Sequence, residues 1–215
     1  MNNPKLSLPL LVLVMVGLVG WDLTLGMAAP RDKEKWNKKY ETKTYVFGKE
    51  PISFLSNNIQ LLPKGRALDL AMGEGRNGVY LAKNGFDVTG IDISEEGLKK
   101  ANALALEQGV RIATQARDLE TIQLPSHSYD VILCAYYLQR DLFPQIIAAL
   151  KPGGMAMVET YTIDHAKYRP RFPKNYLLKT NELLDLFKGL KVIRYQAVDT
   201  GQEAYASILV QKPMR

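Results

Sequence analysis

The stretch ALDLAMGEGRNGVYLAKNGFDVTGIDIS, Ala67 to Ser94, decides how the rest of the chain is read. Gly73, Gly75 and Gly78 fit G-x-G-x-x-G, with a strand-like apolar run before them and a helix-like run after them. Glycines at this spacing let the chain turn tightly and bring backbone N–H groups at a helix start close to a ligand. The loop therefore points to a nucleotide-bearing ligand, and taken alone it suggests NAD.

Outward from that loop the chain alternates strands and helices. Pro51 to Leu62 places Ile52, Leu55, Ile59 and Leu62 on one helical face and is stopped by Pro63-Lys64-Gly65. Ala67 to Ala71 reads as a buried strand, Arg76 to Asn84 as a helix, Asp87 to Ile91 as the next strand and Glu95 to Gln108 as a second helix. Strands follow at Arg111 to Ala116, Val131 to Ala135 and Met155 to Glu159, with a helix around Phe143 to Leu150 ended by Pro152-Gly153-Gly154. Such alternation predicts an α/β fold, a Rossmann-like, mostly parallel sheet with helices on both faces and ligands at the strands' carboxyl ends. The tail departs from this rhythm. Lys191 to Val198 and Ala204 to Gln211, separated by a polar turn with Gly201, predict a C-terminal antiparallel hairpin that completes seven strands.

Composition narrows the class. The chain has 215 residues, 47% of them hydrophobic and 23% charged, which suits one globular domain plus an appendage. Cys134 is the only cysteine, so no intramolecular disulfide forms. The net charge of +6 raises nucleic acid as a partner, but Arg31, Lys33, Lys35, Lys38, Lys39 and Lys43 crowd beside an apolar N-terminus rather than along a recognition helix. No nucleic-acid partner is expected. Residues 1–29 form the appendage and 30–215 the domain. From Leu6 to Trp21 there is no charge, slightly short of the ~20 residues that span a bilayer, though a helix could extend past Asp22 to Ala28. The basic cluster after residues 6–28, against Lys5 before them, favours a membrane anchor with the domain on the cytoplasmic side. A cleaved export signal ending near Ala28 and a true start at Met27 are the other two readings.

Asp69 changes the meaning of the glycine loop. A carboxylate at the end of the first strand would repel a pyrophosphate, yet it suits an ammonium group. S-adenosylmethionine carries such an ammonium and no phosphate. Asp92, at the end of the second strand, can accept both ribose hydroxyls of either ligand, and Asp118 after the third can accept from an adenine amino group. The run Asp69-Leu70-Ala71-Met72-Gly73-Glu74-Gly75, with Asp92, Asp118, Asp130 opening the fourth strand and the terminal hairpin, resembles the class I S-adenosylmethionine-dependent methyltransferases. The resemblance covers nearly all of residues 31–213. Within that superfamily the quoted stretch, YYLQRDLF and LKPGG look most like the tellurite-resistance (TehB-like) type, small bacterial enzymes associated with thiol-like or chalcogen acceptors.

The resemblance implies S-adenosylmethionine as cofactor. It implies that Asp69, Ala71, Gly73 and Gly75 shape the methionine end, that Asp92 and Ile93 hold the ribose, and that Asp118 and Leu119 frame the adenine. Met72 departs from the family, in which a small residue or cysteine is frequent at that point. Tyr136, Tyr137 and Arg140 follow the fourth strand, where the methyl group should point, and are the candidate catalytic residues. In this reading the tyrosines wall the sulfonium and Arg140 attracts a small anionic acceptor. No metal site is assigned. Cys134 reads as core, His127 as turn surface and His165 as an exposed loop residue; Trp36 and Tyr40 share a helical face that packs on the domain or covers the methionine end. No strong base stands out, which favours a soft thiol or chalcogen species that reacts once it is oriented. An NAD-dependent reductase would need a Tyr/Lys or His pair that is not visible, and a non-catalytic binder could keep the fold without the chemistry.

Overall fold

The computed structural model describes residues 28–214. A single sheet organises them, with strands β1 Arg66–Leu70, β2 Asp87–Asp92, β3 Ala113–Ala116, β4 Tyr129–Ala135, β5 Leu150–Tyr161, β6 Lys191–Asp199 and β7 Ala204–Gln211. Their order across the sheet is β3-β2-β1-β4-β5-β7-β6. The strands from β3 to β5 pair in parallel, and β7 joins antiparallel to both β5 and β6. Order reverses between β1 and β4, and the crevice above that switch is where such sheets bind ligands.

Strand period sorts the apolar side chains into two cores. Leu68, Leu70, Ile132 and Cys134 face a layer built on helix α5 (Leu142–Ala149) and the short α6 (Glu182–Leu186), with Phe143 against Phe187. Ala67, Val131 and Leu133 face the opposite layer, where α2 (Ser53–Asn58) and α3 (Arg76–Lys83) bring Phe54, Leu55 and Leu81. Asp69 has the parity of Ala67, so its carboxyl enters this second, apolar layer.

Helix α4 (Glu95–Glu107) begins with Ser94, whose side chain accepts from the Gly97 N–H at 3.1 Å, and carries Glu95 and Glu96 in its first turn. The first helix, α1 (Ala28–Tyr40), docks at that start. Asn37 Oδ1 accepts from Ser94 Oγ at 2.7 Å, and Lys33 pairs with Glu95 at 2.7 Å. The Lys39 ammonium stands 4.6 Å from the ring centres of both Trp36 and Phe47.

The basic cluster that suggested an anchor thus has work within the domain. Among the described residues no helix is long and apolar enough to cross a membrane, so the expectation of a membrane-anchored protein is corrected. The segment 6–28 on which it rested lies, but for Ala28, outside the described residues. Two further boundaries differ from the sequence reading. Strand β5 extends back through Pro152-Gly153-Gly154, beside an irregularity in its pairing with β4 at Tyr129 and Val131. The helix after Pro51 is also shorter than read, its last turn tightening to 3-10 geometry at Ile59–Leu61.

Candidate active site

The loop after β1 is built from left-handed backbone. Ala71, Gly73 and Gly75 have φ of 55°, 54° and 87°. Met72 N–H donates to Ile91 O at 3.1 Å, Gly75 N–H closes a turn on Met72 O at 3.0 Å, and Val79 N–H reaches Gly75 O at 2.8 Å as α3 starts. A Cβ at Gly73 would lie 2.7 Å from the Tyr40 hydroxyl, so this glycine is required by contact as well as by φ. Met72, the departure from the family pattern, has a tertiary explanation. Its thioether fills the space over Gly90 and Gly78, where added Cβ atoms would meet its Sδ at 1.8 Å and Cε at 2.8 Å.

Asp69 is 1% exposed, and its Oδ2 is the buried side-chain oxygen without a hydrogen-bond partner among the described residues. Burial pushes its carboxyl up to about 8; the Gly78 backbone donor pulls it down, Asp92 raises it further and Arg76 lowers it. Asp92 is also buried and raised by burial, with the N–H groups of Ser94, Gly73 and Ile93 acting against the rise. Its Oδ2 accepts from Gly73 N and its Oδ1 from Ser94 N, both at 2.8 Å, so it joins the glycine loop to α4. Ile93 is half-buried beside it.

The third-strand candidates separate. Asp118 is half-buried, with Oδ1 accepting from Glu120 N at 2.9 Å, whereas the Leu119 side chain is 4% exposed and belongs to the α5 core. Any framing of an adenine by Leu119 falls to its backbone. Asp130 sits at the other end of the sheet, accepting from Arg66 N at 2.8 Å and Lys151 Nζ at 2.7 Å, and is structural.

A strap that sequence reasoning missed lies over the glycine loop. Glu74, buried, accepts from Val46 N at 3.1 Å, Phe47 N at 3.2 Å and Lys100 Nζ at 2.8 Å. Arg76 Nη1 donates to Phe47 O at 3.0 Å, and Tyr45 Oη to Lys100 O at 3.1 Å. Beneath it Tyr40, buried against Gly73 and Gly97, stacks on Trp36 with ring centres 5.6 Å apart. Burial and the nearby Asp92 and Glu74 carboxyls keep the Tyr40 phenol protonated. The shared-face reading of Trp36 and Tyr40 holds, on the loop side of the domain.

At the mouth beyond β4 the three candidates diverge. Tyr136 has a φ of 57°, its N–H donates to Glu159 O at 2.7 Å, and its ring lies 4.9 Å from that of Tyr161. Tyr137 turns the other way, donating to Gln139 Oε1 at 2.8 Å near Asp118 and Glu120. Arg140 is corrected. Its Nε and Nη2 pair with both Glu182 oxygens at 2.6 and 2.9 Å, and Nη1 and Nη2 donate to the Asn175 and Leu177 carbonyls at 2.8 and 3.1 Å. Every guanidinium nitrogen is engaged in tying the β4–α5 turn to α6, and the Glu182 carboxylate offsets the charge that an acceptor anion would meet. His165 is corrected too. It is buried, stacked 3.9 Å from Tyr161, and accepts from Ala204 N at Nδ1. Cys134 is core as read, its thiol pushed up to about 12 by burial.

Arg76 and Glu159 complete the site, and neither stood out in the sequence. The Arg76 guanidinium lies 5.8 Å from the Tyr136 ring centre, and it works against the burial that raises the Asp69 and Glu159 carboxyls.

A methyltransferase-domain family model matches residues 67–154, from β1 through the turn into β5. Over these residues the chain is similar to methyltransferase domains. It is 25% identical to the probable S-adenosyl-L-methionine-dependent methyltransferase TehB of Haemophilus influenzae over 181 residues, 81% of this chain and 60% of that one. It is 35% identical over 116 residues to a ubiquinone biosynthesis O-methyltransferase of Idiomarina loihiensis, covering 51% and 47% of the two chains. The chain thus spans about half the length of the curated relatives it matches. The crystal structure of the H. influenzae TehB superposes with a TM-score of 0.64 at 21% identity over 84% of this chain and 66% of that one. Magnesium protoporphyrin IX methyltransferase of Synechocystis, with bound SAH, gives 0.63 at 16% identity over 86% and 99%. These methyltransferase likenesses share the fold described above.

Proposed function

We propose that this chain transfers the methyl group of S-adenosylmethionine to a small-molecule acceptor. The observation that carries the reading is the orphaned Asp69 Oδ2, buried under the glycine loop, because a carboxyl with one oxygen left unpartnered there suits an ammonium and is ill matched to a phosphate. When bound, S-adenosylmethionine supplies a methyl group already activated on a sulfonium. Asp69 and the Ala71–Gly75 loop hold its amino-acid end, Asp92 with Ile93 the ribose, and Asp118 the adenine. Trp36 and Tyr40 cover the loop and exclude water, and Tyr136 walls the mouth where the acceptor enters.

The acceptor's class is a finer matter. A soft sulfur, selenium or tellurium species keeps the support of the similarity to TehB and loses that of Arg140, which is spent on Glu182. A hydroxyl acceptor has the support of the similarity to the ubiquinone O-methyltransferase and of a carboxyl, Glu159, at the mouth.

Calorimetry with S-adenosylmethionine, S-adenosylhomocysteine and NAD in parallel tests the assignment. The first two bind and NAD does not. Asp92→Ala weakens both by about 1.5–3 kcal/mol, the scale of hydrogen bonds to a charged group. An Asp92→Ala protein with unchanged affinity, or tight NAD binding, would overturn it.

A further inference from the structure

Glu159 is a buried carboxyl without an ion pair among the described residues. It is 3% exposed at the end of β5. Carboxylates so deep in a domain are normally paired, because leaving one alone costs several kcal/mol of solvation. Its Oε2 accepts from Ser207 Oγ, its cross-strand partner on β7, at 2.7 Å, and the Tyr136 hydroxyl adjoins the same carboxyl from β4. Arg76 from α3 faces it with positive charge, and Glu203 from the β6–β7 turn with negative charge. Tyr136, in turn, holds a left-handed backbone that costs a non-glycine residue about 1–3 kcal/mol. Strain at a tyrosine beside an unpaired carboxyl is characteristic of a working site.

Next to this pair lies a cavity of about 420 Å³ with Tyr161, His165, Phe172, Arg169 and Glu203 in its wall. The Tyr161 and His165 rings are parallel within 15° at 3.9 Å, Phe172 meets both edge-on at 5.5 Å, and Tyr136 flanks Tyr161. Burial lowers the His165 pKa, so the ring is neutral and serves as an aromatic surface. This aromatic stack gives the cavity an apolar side that suits a planar ring, with Arg169 and Glu203 as polar contacts at its edge.

We propose that the acceptor is a small planar molecule bearing a hydroxyl, laid against Tyr161, and that Tyr136 takes the hydroxyl proton while passing its own to Glu159. The inference rests on the methyltransferase reading. A thiolate arrives already ionised and has no use for this pair, whereas a phenol or enol arrives protonated and needs one. The step balances: the acceptor oxygen forms its bond to the methyl carbon as the carbon–sulfur bond breaks onto sulfur. The proton ends on Glu159. One positive and one negative charge are neutralised together, and no further reactant is needed. Raising of the Glu159 carboxyl by burial brings it closer to the acidity of the proton it receives.

The test uses the full chain with catechol and thiophenol, ring probes that differ in the reacting atom. Binding of catechol and of S-adenosylmethionine is read by calorimetry, and turnover from S-adenosylhomocysteine release. The parent protein binds and methylates the catechol, with kcat falling at acid pH. Glu159→Gln and Tyr136→Phe each lower kcat for the catechol by about 10²–10³-fold and abolish that acid limb, with probe and cofactor affinities within about twofold. Glu159→Asp recovers part of the rate, and turnover of the thiol stays within about threefold throughout. Equal losses on both probes would reduce Glu159 to a structural residue and overturn the proposal, as would a parent that methylates only the thiol or does not bind the catechol. A parent that binds the catechol but not S-adenosylmethionine would instead remove the methyltransferase reading, so the two failures are distinguishable.

Discussion

In its proposed role Asp69 serves binding at the expense of stability. With its ordinary value at 3.8 and its folded value at about 8, the native state holds a proton that the unfolded chain releases. The stability it contributes is therefore complete below about pH 4 and is lost as pH rises through 8. A bound ammonium reverses the preference, because it pairs with the ionised form. Affinity for S-adenosylmethionine should rise as pH increases toward and through 8, with proton release below that point, and the profile should flatten in Asp69→Asn. The same variant should melt above the parent at about pH 9 in the absence of ligand. Calorimetry and melting curves across that range check both signs; a parent affinity independent of pH would remove Asp69 from the ammonium site. Asp69 was legible in the sequence because a charge interrupted an apolar strand. Met72 was legible only as an anomaly, since the glycines that make room for it, Gly78 and Gly90, are brought together by the fold. Met72→Ala should leave a cavity and cost about 2–5 kcal/mol, read by denaturant melts.

At the scale of elements, local pattern revealed the strands and helices far better than the segments that cover the site. The sheet strands and α3 to α5 follow from runs of apolar residues bounded by Gly and Pro, which is local information. The strap at Tyr45–Phe47 has no periodicity, and its position depends on Glu74, Arg76 and Lys100 reaching it from other elements. Helix α1 was read as the basic flank of a leader because its partners, Ser94 and Glu95, lie far along the chain. Glu74→Gln should loosen the strap, raising amide exchange at Val46 and Phe47 and weakening S-adenosylmethionine by roughly tenfold, about 1.4 kcal/mol. Unchanged exchange at these amides would show that the strap is held by other contacts. Arg140 belongs to this scale as well. The sequence placed it at the mouth, but four of its donors are taken by Glu182 and two carbonyls that only the fold brings near. Arg140→Ala should cost about 1–3 kcal/mol of stability, discounted for the partial exposure of the guanidinium, and should leave acceptor preference alone.

For the whole molecule, the candidate site joins parts that share little else. The loop after β1, Asp92 after β2, the start of α4 and the N-terminal helix meet around Gly73, through Asp92 on one side and Tyr40 on the other. A ligand that spans these parts binds the folded chain and not the unfolded one, so it must stabilise all of them together. At a hundred times its dissociation constant, S-adenosylmethionine should add about 2.7 kcal/mol. For a domain of this size that corresponds to a rise in melting temperature of roughly 5–11 °C. The gain should shrink sharply in Asp92→Ala, which loses both the proposed ribose contact and the tie from Gly73 to Ser94, and in Tyr40→Ala, which uncovers the loop. Tyr40→Phe separates packing from hydrogen bonding: if the ring acts as a cover it should retain most of the shift. NAD at the same concentration should give none, because its pyrophosphate would lie against Asp69. Melting curves of the parent and the three variants with each ligand check this, and a comparable shift with NAD would return the glycine loop to the dinucleotide reading that its spacing alone suggested.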